Sequence, residues 1–443
     1  MENAAIAFIH FPITCQPIAV GHFMLASKAP ACEKFIMSII HHNILCPVLL
    51  LLPIACSAFT NNDSAKTIST DGSATDTQNA INYMVSKAQD GWVITVGTAG
   101  GNYKWATSVS LPGGFVNSYT IQGAGSGTTR TTIVSTHSNY SSLSIATNDG
   151  KLARLTNFIF SSTGTQGGGF LTVEPPQNGI AHLSFRVDHC RFQDCHNFAV
   201  RIAEANQNIG TTYGLFDHDD FYETSGGNGI YVFAGNNANQ WQTNMTWGTA
   251  DTVVIEDCTF TNTSATVPGN PAIDSAYNGA RWCARHNTFT NWVCVLHGAD
   301  SAPTSTLQVE FNHNTITVNT AVDYGLYCRG GCIMATGNTF TPAVNFPNQT
   351  FKFANDSPNG FQKVGNGAVN GVQKVLGAYY WNNSPNFLGG ASGITLGANT
   401  FNVAPGAGLP TTSYTELVYP HPLQNSASTP LGPAAPSNLH TAG

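Results

Sequence analysis

The sequence predicts an all-β solenoid, one long domain of stacked strands. The first observation is a short phrase that keeps returning. It reads RLTNFIF at Arg154–Phe160, RVDHCRF at Arg186–Phe192, LFDHDDF at Leu215–Phe221 and VIEDCTF at Val254–Phe260. It continues as CARHNTF at Cys283–Phe289, EFNHNTI at Glu310–Ile316 and MATGNTF at Met334–Phe340, with a worn copy closing at Phe401. The second is the period: closing residues at 160, 192, 221, 260, 289, 316 and 340 give coils of 24 to 39 residues. In that range each unit buries its apolar face only by stacking on its neighbours. The third is composition, with 9% charged residues and 44 glycines in 443 residues. Strands joined by tight polar turns fit that balance; surface helices would need more Lys and Glu.

The elements follow in order. Ile44–Cys56 is an apolar run of 13 residues, too short for an ordinary membrane span. Ser57, Ala58 and a polar stretch follow it, which predicts a signal peptide cleaved near Ala58 and a secreted protein without a membrane span in its mature form. Residues 1–58 are thus read as signal peptide and upstream extension, with Met37 as a start; Pro53 argues against a lipoprotein signal through Cys56. Thr75 or Asp76 is expected to cap a short amphipathic helix whose apolar face is Ile81, Met84, Val85 and Ala88. Such a helix covers the open end of a solenoid, and the strand Trp92–Val96 follows it. Gly123, Gly125 and Gly127 lack the G-x-G-x-x-G spacing and are followed by β-formers, so they predict a turn between coils rather than a dinucleotide loop. The coiled domain is placed at 59–403. Two long excursions, 236–250 and 346–390, are the sort of loop that carries binding residues on a rigid scaffold. Residues 404–443 read as a C-terminal cap, TELVYPHPLQ, and a Pro/Ser/Ala-rich tail.

Seven cysteines follow the signal segment, at 190, 195, 258, 283, 294, 328 and 332. An odd number leaves at least one thiol unpaired within a monomer. Cys190 and Cys258 occupy the turn position held by Asn287, Asn314 and Asn338 in later copies, which makes them packing residues before disulfide partners. The net charge of −7 and the absence of any basic run argue against a nucleic-acid partner.

These features resemble the right-handed parallel β-helix proteins of the pectate-lyase-like superfamily over roughly Thr75 to Val403. The opening block (capping helix, first strand, TIQGAGSGTT) is also similar to that superfamily, and FRVDHCRF and GLFDHDDF resemble the vWIDHcsF-type phrase of pectate lyases. The arginine pattern RxPxxR of those enzymes is missing, as are the NTD and GHG signatures of polygalacturonase-like hydrolases. The fold alone assigns no function. The resemblance implies a right-handed parallel β-helix with a short N-terminal capping helix and a polysaccharide partner.

Aligning the copies gives columns spaced like adjacent strands, about 4.8 Å apart. One column reads Thr156, Asp188, Asp217, Glu256, Arg285, Asn312 and Thr336. Its neighbour reads Leu155, Val187, Phe216, Ile255, Ala284, Phe311 and Ala335 and is wholly apolar, so the first must point outward. Two residues earlier on the outer face lie Arg154, Arg186, Leu215, Val254, Cys283, Glu310 and Met334. Stacked carboxylates repel unless a cation intervenes, and Ca²⁺ with oxygen ligands would relieve this and bridge to an acidic sugar. The resemblance implies the same, with Asp188, Asp217 and Glu256 as ligands and Arg285 as the base that removes the proton α to a uronate carboxyl. The plain alternative is a solvated sheet face with ordinary ion pairs.

A second strand in each coil gives another set. His297 suits a general acid or base, Asp274 can orient it, and Arg329 can bind an anionic sugar group. The plain alternatives are a hydrogen-bonded turn histidine and a turn-forming aspartate. Arg281 and Glu310 lie between the two sets in sequence, so one groove with Arg186 as a further contact would draw on both. Trp241, Trp247, Trp282, Trp292, Tyr379, Tyr380 and Trp381 are either sugar platforms or packing. The function expected is β-elimination of a uronate-containing polysaccharide by a secreted monomer. A glycoside hydrolase using Asp217 or Asp188 with Glu256, or a non-catalytic glycan-binding solenoid, are the alternatives.

Overall fold

The computed structural model describes residues 59–425 except 137–140, 164–168, 177–178, 196, 203–209, 234–244, 265–269, 276–278, 298–305, 320–323, 342–349, 355–374, 386–387, 393–399, 402 and 407–412. The expected signal peptide, Trp241, and most of both long excursions lie outside the described residues.

The repeat phrase produces its coil because its inward residues are large and apolar and its turns are one or two residues long. Each full coil supplies one strand to each of three sheets, as Arg281–Arg285, Thr288–Thr290 and Cys294–Leu296 do. Among the described residues sheet A has 13 strands, sheet B nine and sheet C ten. The pairings are parallel from coil to coil; the exception is the first hairpin, Thr60–Asn62 with Thr67–Thr70, which is antiparallel. This is a parallel β-helix.

The register matches the column reading. Arg186, Val187 and Asp188 pair with Leu215, Phe216 and Asp217, then Val254, Ile255 and Glu256, then Cys283, Ala284 and Arg285. Val187, Phe216, Ile255, Ala284, Phe311 and Ala335 are all buried in the main core. Under sheet B the closing aromatics stack, Phe192 on Phe221 at 4.9 Å, Phe221 on Phe260 at 4.6 Å and Phe260 on Phe289 at 4.8 Å. Each buried ring contributes roughly 1.5–3 kcal/mol of transfer free energy.

The corner between sheets A and B is a two-residue turn. Its first residue is left-handed: His189, His218, Asp257, His286 and His313 have φ of 56°, 57°, 56°, 55° and 56°. In the next coil this place is Gly337, where a Cβ would sit 2.3 Å from His313 Nδ1. The second turn residue points inward. Asn287, Asn314, Asn338 and Asn383 form a buried ladder there, each amide accepting from the backbone N–H of the rung before and donating to a carbonyl.

The N-terminal helix runs Ala74–Lys87 and is capped by Ser73, whose hydroxyl accepts from the Asp76 N–H, rather than by Thr75 or Asp76. Asp76 instead turns back to accept from the N–H groups of Phe59 and Asp71. Ile81 and Met84 are buried, while Ala88 ends the helix in a left-handed conformation. The glycines at 123–127 form the turn between the strands Tyr119–Gly123 and Thr131–Ser135. All seven cysteines are buried free thiols. No helix among the described residues is long and apolar enough to cross a membrane.

Candidate active site

The two outer faces singled out in the sequence have different fates. That of sheet A is covered. Residues 413–425 run back across it as a strap, sealing a small second core in which Leu423 packs with Leu152, Leu215, Val254 and Cys283. Asp188, Asp217 and Glu256 are therefore 0% exposed and Arg285 1%. Leu215, Val254 and Cys283 in an outward column are the one hint in the sequence that something apolar covers them.

Burying these charges requires pairing, and each carboxylate is clamped. Arg154 donates two bonds of 2.7 Å to Asp188, and Arg186 donates two of 2.8 Å to Asp217. Arg285 donates to Glu256 at 2.7 Å. The strap supplies the rest: Arg186 donates to the carbonyls of Leu423 and Gln424, and Arg285 to those of Leu417 and Val418. The His421 N–H and the Gln424 amide both donate to Glu256 Oε1. Burial would raise the Asp188 pKa, but Arg154, His189 and Arg186 outweigh it and hold the carboxyl well below the usual range. Burial pushes Glu256 up against the opposing charge of Arg285.

This corrects the expectation for sheet A. The donor set does not fit Ca²⁺, because guanidinium groups already occupy the three carboxylates, and no group of three or more His, Cys, Asp or Glu among the described residues is placed to hold a metal. Arg285 is committed to Glu256 and two strap carbonyls, so it does not reach a substrate proton. Arg186 is likewise spent on Asp217 and the strap rather than on a sugar. The pairs proposed for hydrolysis, Asp217 or Asp188 with Glu256, are the same clamped acids.

Arg281 and Glu310 also belong to this covered face. Arg281 donates to the Thr246 hydroxyl at 2.8 Å. Glu310 accepts from Gly248 N–H at 3.0 Å and Tyr414 hydroxyl at 2.7 Å, and burial raises its pKa. They do not join His297 in one groove. Trp282 and Trp292 are core residues, and Trp247 and Trp381 pack edge-on against Tyr414 of the strap.

The outer face of sheet C keeps its accessible groups. Register places Arg201, Tyr231, Asp274, Val295, Tyr327 and Lys352 in one outward column, while Ile230, Ile273, Leu296 and Leu326 between them face the core. Beside this column, Asp274 Oδ1 lies 3.3 Å from His297 Nε2, and His297 Nδ1 lies 2.9 Å from Arg329 Nη1. Arginine only donates, so Nδ1 is the accepting nitrogen and the neutral ring carries its proton on Nε2, facing Asp274. Arg329 lies 5.8 Å from the Tyr327 ring, and Lys352 Nζ sits 4.8 Å from that ring and 5.1 Å from Tyr324. Arg329, His297, Tyr231, Tyr327 and Lys352 are all half-buried, with surface left to meet a ligand. The grouping of Asp274, His297 and Arg329 was legible from their strands. Tyr231, Tyr327 and Lys352 were not, although counting from Asp274 by the coil period reaches each of them.

No family model matches the chain, and no curated protein matches it. Among solved structures it is similar to an alginate lyase from Paenibacillus sp. str. FPU-7, with 14% identity and a TM-score of 0.38, over 65% of this chain and 97% of that one. A likeness of that degree gives no residue a role.

Proposed function

We propose that this chain is a secreted polysaccharide lyase that works on the outer face of sheet C and cleaves uronate-containing chains by β-elimination. The observation that carries the reading is the Asp274–His297–Arg329 array, in which a buried carboxylate backs a half-buried histidine and arginine among half-buried tyrosines and a lysine on the outer face of sheet C. β-Elimination needs a cation against the uronate carboxylate, a base for the α-proton and an acid for the departing oxygen. Arg329 meets the carboxylate, while Lys352 and Arg201, at opposite ends of the column, are placed for carboxylates of other residues of the same polysaccharide chain. A bidentate guanidinium–carboxylate contact is stronger than the resting bond to a neutral imidazole, so the arriving substrate draws Arg329 off Nδ1. The uncovered lone pair of His297 then takes the proton, and Asp274 stabilises the imidazolium and keeps the ring oriented. The phenols of Tyr231 and Tyr327 flank the array and are the available proton donors for the leaving oxygen.

The test is ultraviolet absorbance of the unsaturated product on a panel of uronate polysaccharides. His297→Ala is expected to lower the rate by about 10²–10⁴-fold, and Arg329→Ala to raise KM as well as lower kcat. Binding without any turnover by the folded wild-type chain would replace this reading with the glycan-binding one.

A further inference from the structure

We propose that the outer face of sheet B, over its last four coils, is an ice-binding surface. These coils repeat Thr-x-Thr at 259–261, 288–290, 315–317 and 339–341. Register aligns Thr259, Thr288, Thr315 and Thr339 in one rank and Thr261, Thr290, Thr317 and Thr341 in a second. The residue between each pair, Phe260, Phe289, Ile316 or Phe340, points into the core. All eight threonines therefore face outward, about 4.8 Å apart from coil to coil and about 6.6 Å apart along the strand. The first rank is exposed throughout; in the second, Thr341 is exposed and the other three are half-buried.

A grid of this size is useful only if it is flat, because ordinary sheets rotate by about 20–25° from strand to strand. Beneath its first two coils Phe260 and Phe289 stack 12° from parallel, continuing the 4° stack of Phe221 on Phe260 in the coil before, and a flat grid across all four coils is part of the proposal. β-Branched threonine has few χ1 choices, so hydroxyl and methyl positions repeat with the backbone. Among the described residues no hydrogen bond engages any of the eight hydroxyls, which leaves them to hold water. The coil-to-coil spacing lies close to one repeat of oxygen positions on the prism face of ice, and the methyls between the hydroxyls fill the gaps of such a layer. The ranks contain no charge and no aromatic ring. They lack the stacking platforms that sugars use, which favours ice over a glycan as occupant. The grid ends where charge begins, since Thr259 pairs with Asp220, itself in a 2.9 Å ion pair with Arg191. This surface is on a different sheet from the proposed active site and does not depend on it.

The test uses the full chain in ice-affinity partition and in a freezing–melting gap measurement on single ice crystals. The wild-type chain is expected to enter the ice fraction, to facet the crystals and to open a gap. Thr288→Lys with Thr315→Lys is expected to abolish all three with an unchanged circular dichroism spectrum, whereas Ser161→Lys, on the same sheet outside the ranks, retains them. Folded wild-type chain excluded from ice with no gap would overturn the proposal, as would full retention by the double variant. The wild-type arm needs no variant to fold.

Discussion

Asp219 occupies the rung that asparagine holds in later coils. Its Oδ1 accepts from the Cys190 N–H at 2.7 Å, as the asparagines accept, but its buried Oδ2 has no partner where an asparagine would donate its amide. Burial, reinforced by Asp217 and Asp188 and opposed by the Cys190 N–H and Arg130, pushes its pKa well above the usual value, which favours the protonated acid in this rung between Cys190 and Cys258. A raised folded pKa means that its contribution is fully present below about pH 3.9, the unfolded value, and is lost as the pH rises toward the folded one. Asp219→Asn supplies the missing donor without a charge. It should raise stability near neutral pH by on the order of 1–3 kcal/mol, read as a higher denaturant midpoint, with a smaller gain at acid pH. An unchanged midpoint would contradict the ladder account. The repeat placed Asp219 in this rung; its protonation needs the depth of burial, which a column of letters does not show.

The strap at 413–425 is the element that changes the meaning of sheet A. It is short and carries little secondary structure, so its docking rests on Leu423 and on bonds to buried charges. Leu423→Ala should weaken docking by about 2–4 kcal/mol, visible as faster hydrogen exchange in the strap while the coils remain protected. His421 gives it a pH dependence. Burial and the charges of Arg285 and Arg186 push its pKa down to about 3, so the docked strap holds a neutral ring whose Nδ1 accepts from Leu423 N–H. A lowered pKa on a base means that docking is fully stable above about pH 6.5, the undocked value, and weakens by about 1.4 kcal/mol per pH unit below it. Glu256 and Glu310, whose pKa values are raised, act in the opposite sense at lower pH. Strap protection factors, corrected for intrinsic exchange, at about pH 7.5 and 5.5 in wild type and His421→Gln separate this histidine from His313, which pairs with Glu416, and His286, which stacks on Tyr419; the same pH dependence in both chains would contradict it. Nothing in TELVYPHPLQ announces this partner, because the complementary groups are spread over coils more than a hundred residues earlier in sequence.

At the scale of the molecule, the β-helix was legible because one constraint repeats: an inward apolar column fixes register, and register fixes which side chains share a face. The inward column from Leu155 to Ala335 and the outward column from Asp188 to Arg285 both follow from that. Solvent exposure does not, since it depends on what else lies on the sheet. An Asp–Asp–Glu–Arg column looks like an open cation site in sequence and is a sealed row of ion pairs in the fold, whereas the less conspicuous Asp274, His297 and Arg329 face a surface that stays accessible. The three faces therefore divide the work: sheet A is covered by the chain itself, sheet B presents threonine ranks, and sheet C carries the array read as catalytic. The most direct test is the initial rate of unsaturated product formation on uronate polysaccharides, for wild type and His297→Ala, each with and without a calcium chelator. The account predicts wild-type turnover that the chelator leaves unchanged and that His297→Ala removes. Turnover abolished by chelation and retained by His297→Ala would contradict it.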